Sequence, residues 1–565
     1  MSHVALIKGG KETGRFFLIP DSMDDLAKSG AFIHDMVDAS GKNDVVAASN
    51  RFARDWPSLL GLADLSVGGF PLSSLVHLQF RFRLTFLFLL LEFARRAVAQ
   101  GGPDAVVLSG MPFEERRTLR LAFGALGVRV EEGTPAGSGG FHGFSFRLGS
   151  RFRRISEVTL PRYAGYLRRM CRMELAATPR EDPRILVADS FCMTPEAVRY
   201  LKSRGTLLHV MDTDRGLKKI LLKAGLPFRS VVLKGVPPGD WPDPARTRFP
   251  AEAVWKFSYA GIPFFPLIER DIRWAVWNIA PRLFSYGSLP GEGLRRIILR
   301  EQNGPEGKML VWLAKQAGIP TVMLQHGLMG GEYGYLPMDA DLFFAWGEDG
   351  CRWLVEKGVE EEKVKVFGCP RFDRYGHTAV KDEGGKFQKR LLILLESTEY
   401  SGEDTPLDNY RMLRLVHEAL EPLVDWRVAI RFHPAQTGEE REAFRRFVRL
   451  YGSRMQIARD IVLGRSLEKA DVVVTEASTA GMEALLLGKL LLVVRRRGIA
   501  GNPYAWTDVL PRADSPERIR EYLSAWGNHA TARQEARERG ERFLAGYLHR
   551  EEEPASVRFW KYCLS

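Results

Sequence analysis

The chain has 565 residues, 45% of them hydrophobic and 27% charged, and its 81 basic against 69 acidic side chains give a net charge of +12. That length exceeds one ordinary hydrophobic core, so two or three domains are expected, and the composition is globular rather than disordered or fibrous. The basic balance favours anionic partners, nucleotide-activated substrates or phospholipid surfaces, over nucleic acid, since neither zinc-finger spacing nor an aromatic RNA-binding signature occurs. The five cysteines (Cys171, Cys192, Cys351, Cys369, Cys563) are scattered without a CxxC pair, which argues against a metal site and suits a reducing cytoplasm.

The first third is the least regular. MSHVALIKGGKETG at the start lacks the apolar run of a signal peptide. Residues 1–180 read as an α/β extension of unknown role, with strand-like runs at 45–48, 105–108 and 128–130, helical periodicity over 114–124 and a glycine-rich loop over 133–140. The run 84–93, LTFLFLLLEF, stands among Arg81, Arg83, Arg95 and Arg96 and is too short to cross a bilayer. A buried helix is expected there, with a membrane-surface helix as the alternative. The basic run 151–172 reads either as a patch for anionic lipid or as a solvated face.

From 184 onward strands and helices alternate, the rhythm of a parallel sheet built from βαβ units. Strands are expected over 185–188, 207–211 and 231–233, with helices over 195–203 and 217–224. The aromatic stretch 241–288 interrupts them; packing is expected of it, an acceptor cleft or interfacial helix being the alternative. Strands resume over 296–300, 321–325, 341–346 and 364–368, with helices over 304–317 and 351–357. The strand 321–325 delivers His326 and Gly327, and Gly327, Gly330 and Gly331 then permit close backbone approach or positive φ.

The stretch 379–389, AVKDEGGKFQK, reads as an interdomain linker. A second unit follows, with strands over 391–395, 427–432, 455–457, 470–474 and 490–494 and helices over 407–423, 439–450, 466–469 and 482–486. Gly488 stands where a helix-ending glycine is expected. The hydroxyl-rich turn Thr475-Glu476-Ala477-Ser478-Thr479-Ala480-Gly481 falls at the carboxyl edge of the sheet, where such sheets bind ligands. Helix N–H groups and the Ser478 and Thr479 hydroxyls would seat a phosphate there; a capped helix is the alternative. The organisation expected is an extension over 1–180, an acceptor-side Rossmann-like domain over 181–380, a donor domain over 386–514 and a helical tail over 515–565 that packs back across the first of these domains.

Four motifs occur in order: Gly318-Ile319-Pro320-Thr321 with Leu324-Gln325-His326-Gly327; Gly368-Cys369-Pro370-Arg371-Phe372-Asp373; Arg431-Phe432-His433-Pro434; and Ala470-Asp471 with Glu476-Ala477-Ser478-Thr479 and Glu483-Ala484-Leu485. This series resembles the GT-B glycosyltransferases of bacterial surface polysaccharide synthesis. It is similar to capsule-type 3-deoxy-manno-octulosonate and polysialic acid transferases and to CDP-glycerol glycerophosphotransferases, and more distantly to UDP-N-acetylglucosamine 2-epimerases. The resemblance covers roughly residues 300–495.

It implies an α/β, GT-B-like fold with two doubly wound domains facing a cleft. It also implies transfer of a sugar from a nucleotide-activated, CMP-linked donor to a surface-polysaccharide or lipid-linked acceptor. A UDP-sugar transferase, a 2-epimerase-like enzyme and a non-catalytic sugar-nucleotide binder are the alternatives. His433, Pro434, Ser478 and Thr479 would hold the donor phosphate or cytidine, with Arg431 and Glu476 beside them, and an imidazolium at His433 would stabilise the departing nucleotide. Glu483 would accept from a ribose, unless it is an exposed helix residue.

His326 stands where related glycerophosphotransferases place a proposed general base, or it holds the glycine loop; Glu332 and Asp349 are the other carboxylate candidates. Gln325, Gly327 and Arg371 would line the acceptor side, Arg371 as a bidentate clamp or as a pin on Asp373. No metal and no cofactor beyond the nucleotide-sugar substrate is expected. Thr475-Glu476 departs from the Thr-Asp-Tyr usual in glycerophosphotransferases, which favours a sugar donor. An enzyme in the cytoplasm that visits the inner membrane face peripherally is the implied setting.

Overall fold

A computed structural model describes residues 2–19, 36–60, 66–67, 70–111, 113–133, 182–211, 214–231, 249, 255–274, 276, 293–329, 332, 334–375, 387–396, 406–434, 436, 438–449, 455–458, 460, 462–494, 504 and 508–565. The basic run 151–172, nearly all of the glycine-rich loop 133–140, Gly330, Gly331 and most of the linker 379–389 lie outside them.

The N-terminal unit runs β1 (Ser2–Lys8), β2 (Lys11–Ile19), α1 (Ala39–Leu59), β3 (Ser66–Val67), β4 (Phe70–Pro71), α2 (Leu72–Gly101), β5 (Ala105–Ser109), α3 (Phe113–Ala125) and β6 (Arg129–Glu132). Its mixed sheet has the order β2-β1-β5-β6. Residues 45–48 are helical rather than a strand: Val45, Ala48, Phe52 and Trp56 recur at helical spacing and face the core. The run 84–93 lies inside α2 with Leu84, Leu87, Phe88, Leu91 and Phe93 buried, so the membrane-surface alternative is set aside. Among the described residues no helix is long and apolar enough to cross a membrane.

The next unit holds β7 (Ile185–Ala188), α4 (Pro195–Arg204), β8 (Leu208–Met211), α5 (Arg215–Ala224), β9 (Phe228–Val231), the hairpin β10 (Ser258–Tyr259) and β11 (Ile262–Pro263), and α6 (Phe265–Trp274). After them come β12 (Arg296–Leu299), α7 (Pro305–Ala317), β13 (Thr321–Leu324), β14 (Leu342–Ala345), α8 (Glu348–Glu356) and β15 (Val364–Val366). The seven parallel strands order as β15-β14-β13-β12-β7-β8-β9. They are short, nearly unbroken apolar runs, as expected of strands covered on both faces. Strand β9 covers Phe228–Val231 and so reaches the first residue of the run expected over 231–233, of which 232–233 lie outside the described residues. Within the described part of the aromatic stretch, Phe257 and Phe264 are buried against Phe52 and Phe88 of the N-terminal helices while Trp255 is exposed. Residues 241–248, 250–254, 275 and 277–288 lie outside those described. Arg83, buried on α2, ties in α6 through Asp271 at 3.0 Å.

The third unit holds β16 (Arg390–Leu394), α9 (Pro406–Leu420), β17 (Arg427–Arg431), α10 (Gly438–Arg449), β18 (Met455–Ile457), α11 (Leu463–Lys469), β19 (Val472–Thr475), α12 (Ala480–Leu486), β20 (Leu490–Val494) and β21 (Arg512–Ala513). It is again all parallel, in the order β18-β17-β16-β19-β20-β21. The fold is thus α/β with two doubly wound sheets, as the GT-B-like expectation required.

The tail forms α13 (Pro516–Asn528), α14 (Ala530–Tyr547) and α15 (Ala555–Leu564) and straddles both sheets. Helix α14 packs on α12 and β20 of one unit and on α8 of the other. Gly347 makes this possible, because a Cβ there would run into the Tyr547 backbone. Helix α15 docks on α4: the Trp560 indole donates to the Cys192 carbonyl at 3.0 Å, and the Asp373 carboxylate accepts from the Ala555 and Ser556 N–H groups at 2.9 Å each.

Candidate functional site

In the seven-stranded sheet the order reverses between β7 and β12. Loops leaving the carboxyl ends diverge at such a point and open a crevice. Leu299 pairs with Ala188 on one side and Met323 on the other, so the residues that follow, Asp189, Arg300 and Leu324, emerge side by side. Asp189 is 1% exposed; its Oδ1 accepts from the Phe191 N–H at 2.7 Å, while its Oδ2 is buried without a hydrogen-bond partner. Burial pushes this carboxyl up to about 6, against the pull of the Phe191 N–H and the Arg300 guanidinium, and Asp214 on α5 adds to the rise.

Arg300 lies over the Phe191 ring, 5.8 Å from its centroid, and Arg371 stands 6.0 Å from the same centroid. His326, two residues beyond β13, stacks on Tyr335 with centroids 5.0 Å apart, and its Nδ1 is buried with no partner. Burial, then the Arg300 charge, lowers its pKa to about 4, so the ring is neutral at pH 7. Asn303, 4% exposed in the turn between β12 and α7, has neither side-chain polar atom hydrogen-bonded. Its neighbour Gln302 is saturated, donating to the Tyr335 and Pro337 carbonyls and accepting from the Asp339 and Ala340 N–H groups.

The six-stranded sheet reverses between β16 and β19, and there the polar groups close on one another. Glu396, just past β16, accepts from the Thr475 hydroxyl at 2.7 Å and the Ala477 N–H at 3.0 Å. The Ser478 N–H donates to Thr475 Oγ1, the Ser478 Oγ accepts from the Ala480 N–H, and the Tyr504 hydroxyl donates to the Ser478 carbonyl. The Gly481 and Met482 N–H groups turn back on the Ser478 and Thr479 carbonyls. These bonds engage the Ala477, Ser478, Ala480, Gly481 and Met482 N–H groups within the chain.

His433, after β17, is half-buried, and its N–H donates to Gln436 Oε1 at 3.0 Å. Burial, then Arg371 and Arg441, holds its ring at about 4. The ring is thus neutral at pH 7, and the positive charge around it belongs to Arg371 and Arg441.

The two edges meet. Thr479 Oγ1 accepts from the Leu328 N–H at 3.2 Å. Glu483 is completely buried and binds Arg371 at 2.5 Å, with Arg374 and the Tyr375 hydroxyl on its other oxygen. The Tyr547 hydroxyl accepts from the Met329 N–H at 3.0 Å, so the tail also braces the His326 loop.

Of the residues singled out in the sequence, His326, Gly327, Arg371, Thr479 and Glu483 stand at this junction with His433 and Ser478 beside it. Glu483 is the reverse of an exposed helix residue. Arg371 turns to Glu483, while Asp373, its expected partner, caps α15. Gln325 is buried with its amide fully engaged by Trp346 and Gly327. Glu332 is exposed and pairs with Lys357 at 3.2 Å, and Asp349 binds Arg352 and lies against Gly546. Arg431 donates into α11 and its approach, to the Asp460 carbonyl at 2.6 Å and to Ser466. Glu476 is buried in the turn, and Pro434 is exposed.

Sequence reasoning passed over Asp189, Arg300, Asn303, Glu396, Tyr504 and Tyr547. Asp189 and Glu396 each follow an apolar strand, a pattern too common to single out either. The sequence reading holds that no DxD pattern stands at a strand end, and Asp212-Thr213-Asp214 directly after β8 corrects it. Its Asp214 caps α5 through the Leu217 N–H. Among the described residues no group of three or more His, Cys, Asp or Glu is placed to hold a metal ion.

No family model matches the chain, and no curated protein matches it. Solved structures similar to it include MnaA of S. aureus with UDP, at 12% identity and a TM-score of 0.40 over 68% of this chain and 95% of that one. HepE of Anabaena in complex with UDP and glucose follows at 10% and 0.39, over 68% and 99%. A glycosyltransferase from Rickettsia africae stands at 12% and 0.40, over 68% and 98%. A likeness at this level fixes neither family nor activity.

Proposed function

We propose that the chain is a transferase moving a sugar from a nucleotide-activated donor, CMP-linked by the motif pairing of His433-Pro434 with Ser478-Thr479, to a hydroxyl of a surface-glycan or lipid-linked acceptor. The observation that carries this reading is the junction of two switch-point edges of opposite character. One presents guanidiniums at Arg371 and Arg441 around a neutral His433 together with the Ser478 and Thr479 hydroxyls, a set suited to an anionic phosphate. The other presents Asp189 and His326, two proton-accepting groups with unpartnered atoms. Donor phosphate on the first edge and acceptor hydroxyl on the second would place the anomeric carbon between them, and the positive charge on the donor edge would stabilise the departing nucleotide.

A thermal-shift screen of nucleotides, followed by product analysis with labelled sugar nucleotides with and without a glycan acceptor, tests this. A ligand at 100 times its Kd adds about 2.7 kcal/mol of stability, and CMP or CDP is expected to exceed UDP and GDP. A larger shift with UDP would move the donor to a UDP-sugar, and conversion of the sugar nucleotide without an acceptor would replace transfer by epimerisation.

A further inference from the structure

We propose that Asp189 is the catalytic residue that takes the proton from the acceptor hydroxyl, at the β7/β12 switch point where Arg300 acts on both Asp189 and His326. This rests on the transfer reading above and names the group that does the chemistry and the kind of ligand the site takes. Asp189 Oδ2 is buried at the sheet edge without a partner among the described residues, and a buried oxygen left without a donor is costly, more so when charged. A group kept in that state waits for a donor from outside the chain. His326 Nδ1 is a second buried acceptor in reach of the same Arg300 charge. Two acceptors beside one cation match a ligand whose hydroxyls both donate and accept, which is a polyhydroxylated saccharide rather than an apolar or purely anionic molecule.

Between the two acceptors, the surroundings favour Asp189. Its carboxyl sits at about 6, so it is ionised yet basic near neutral pH, whereas His326 sits at about 4 and is a weaker base. The groups facing Asp189 are the Arg300 guanidinium from β12, the Asp214 carboxylate from α5 and the Cys192 thiol of its own turn, with Arg371 beyond the Phe191 ring. In the reaction the acceptor oxygen forms a bond to the anomeric carbon as its proton passes to Asp189 Oδ2. The bond from that carbon to the phosphate oxygen breaks, and its electron pair leaves with the nucleotide. His326 then orients the acceptor as a neutral hydrogen-bond acceptor.

The test compares wild type, Asp189→Asn and His326→Ala in transfer from labelled CMP- and UDP-sugars to a panel of free mono- and disaccharides and a polyprenyl-linked disaccharide. Asn keeps an oxygen for the Phe191 N–H, so the turn should survive, and nucleotide thermal shifts report whether the donor edge is intact. Asp189→Asn is expected to lower kcat by 100-fold or more, with the donor shift unchanged and the acid limb of kcat/KM near pH 6 abolished. His326→Ala should lower turnover less and keep that limb. Transfer by wild type with Asp189→Asn within threefold of it, or an acid limb that disappears in His326→Ala instead, overturns the role of Asp189 alone. Absence of transfer by the wild type with every donor overturns the transfer reading and this role with it.

Discussion

The two switch points are built alike and finished differently. Each lies where a parallel sheet reverses its strand order, and each carries a carboxylate on the strand at the reversal, Asp189 behind β7 and Glu396 behind β16. Glu396 is met by a hydroxyl and an N–H from the facing turn, whereas Asp189 has one oxygen met by its own turn and the other by nothing among the described residues. A satisfied network rigidifies its loop; an unsatisfied one stores cost until a ligand arrives. The donor edge thus reads as a preorganised seat and the acceptor edge as a site completed by its substrate.

Breaking the junction between the edges should have the largest effect. Replacing both Arg371 and Arg374 with Ala leaves the Glu483 carboxylate buried without a counter-charge, and removing the partners of a buried ion pair costs about 3–5 kcal/mol. Arg374→Ala alone acts on a side chain 53% exposed and should cost under about 1 kcal/mol. Thermal unfolding of the single and double variants checks this, and a double variant as stable as wild type would mean that Glu483 does not join the halves.

The contrast also predicts a stability gain at the acceptor edge. A carboxyl held near 6 in the folded chain, against about 4 unfolded, penalises folding once it ionises. The penalty is absent below pH 4, grows through the window from 4 to 6 and is complete above it. Asp189→Asn should therefore be more stable than wild type by about 3 kcal/mol at pH 7.5 and equal to it near pH 4. Unfolding temperatures at the two pH values decide it; a variant less stable at pH 7.5 would show that the Asp189 carboxylate is a structural partner.

A smaller loss is expected from Thr479→Val. It removes the acceptor for the Leu328 N–H, a single hydrogen bond across the junction, and should cost about 1 kcal/mol. Thr479→Ser should restore it. If Val and Ser behave alike in unfolding, the contact between the His326 loop and the α12 turn holds nothing together.

How much of this was legible follows from what each feature depends on. The parallel strands stood out because strands covered on both faces are bounded apolar runs, and β20 over Leu490–Val494 coincides with its expected limits. Helix α1 was read as a strand because Val45-Val46 is β-branched, and the heptad-like spacing to Phe52 and Trp56 outweighs that preference only once the core is assembled. His326, His433 and Thr479 were legible as strand-end residues in motifs. Asp189 was not, since one carboxylate behind a strand is common and its meaning lies in what fails to pair with it. Tyr504 and Tyr547 were invisible for another reason: they reach the site from the segments behind β20 and at the end of α14, and no local spacing encodes that.

The smallest predicted effect is an absence of pH dependence on the donor edge. A histidine at its ordinary pKa would gain charge between pH 8 and pH 6 and draw an anion more tightly as it did so. His433 sits at about 4, because burial disfavours its charged form and Arg371 and Arg441 repel it, so across this range it stays neutral while the two guanidiniums stay charged. The phosphodiester of a nucleotide sugar does not titrate there either, which makes intact CMP- and UDP-sugars better probes than free CMP. Affinity measured by calorimetry should accordingly change by less than about twofold from pH 8 to pH 6, where an imidazolium would add roughly 1 kcal/mol or more. His433→Ala should weaken binding by the loss of a hydrogen-bonding ring and leave the pH profile as flat as before. An affinity that climbs tenfold toward pH 6 in wild type and loses that climb in His433→Ala would restore His433 as the charged group and demote Arg371 to the junction it makes with Glu483.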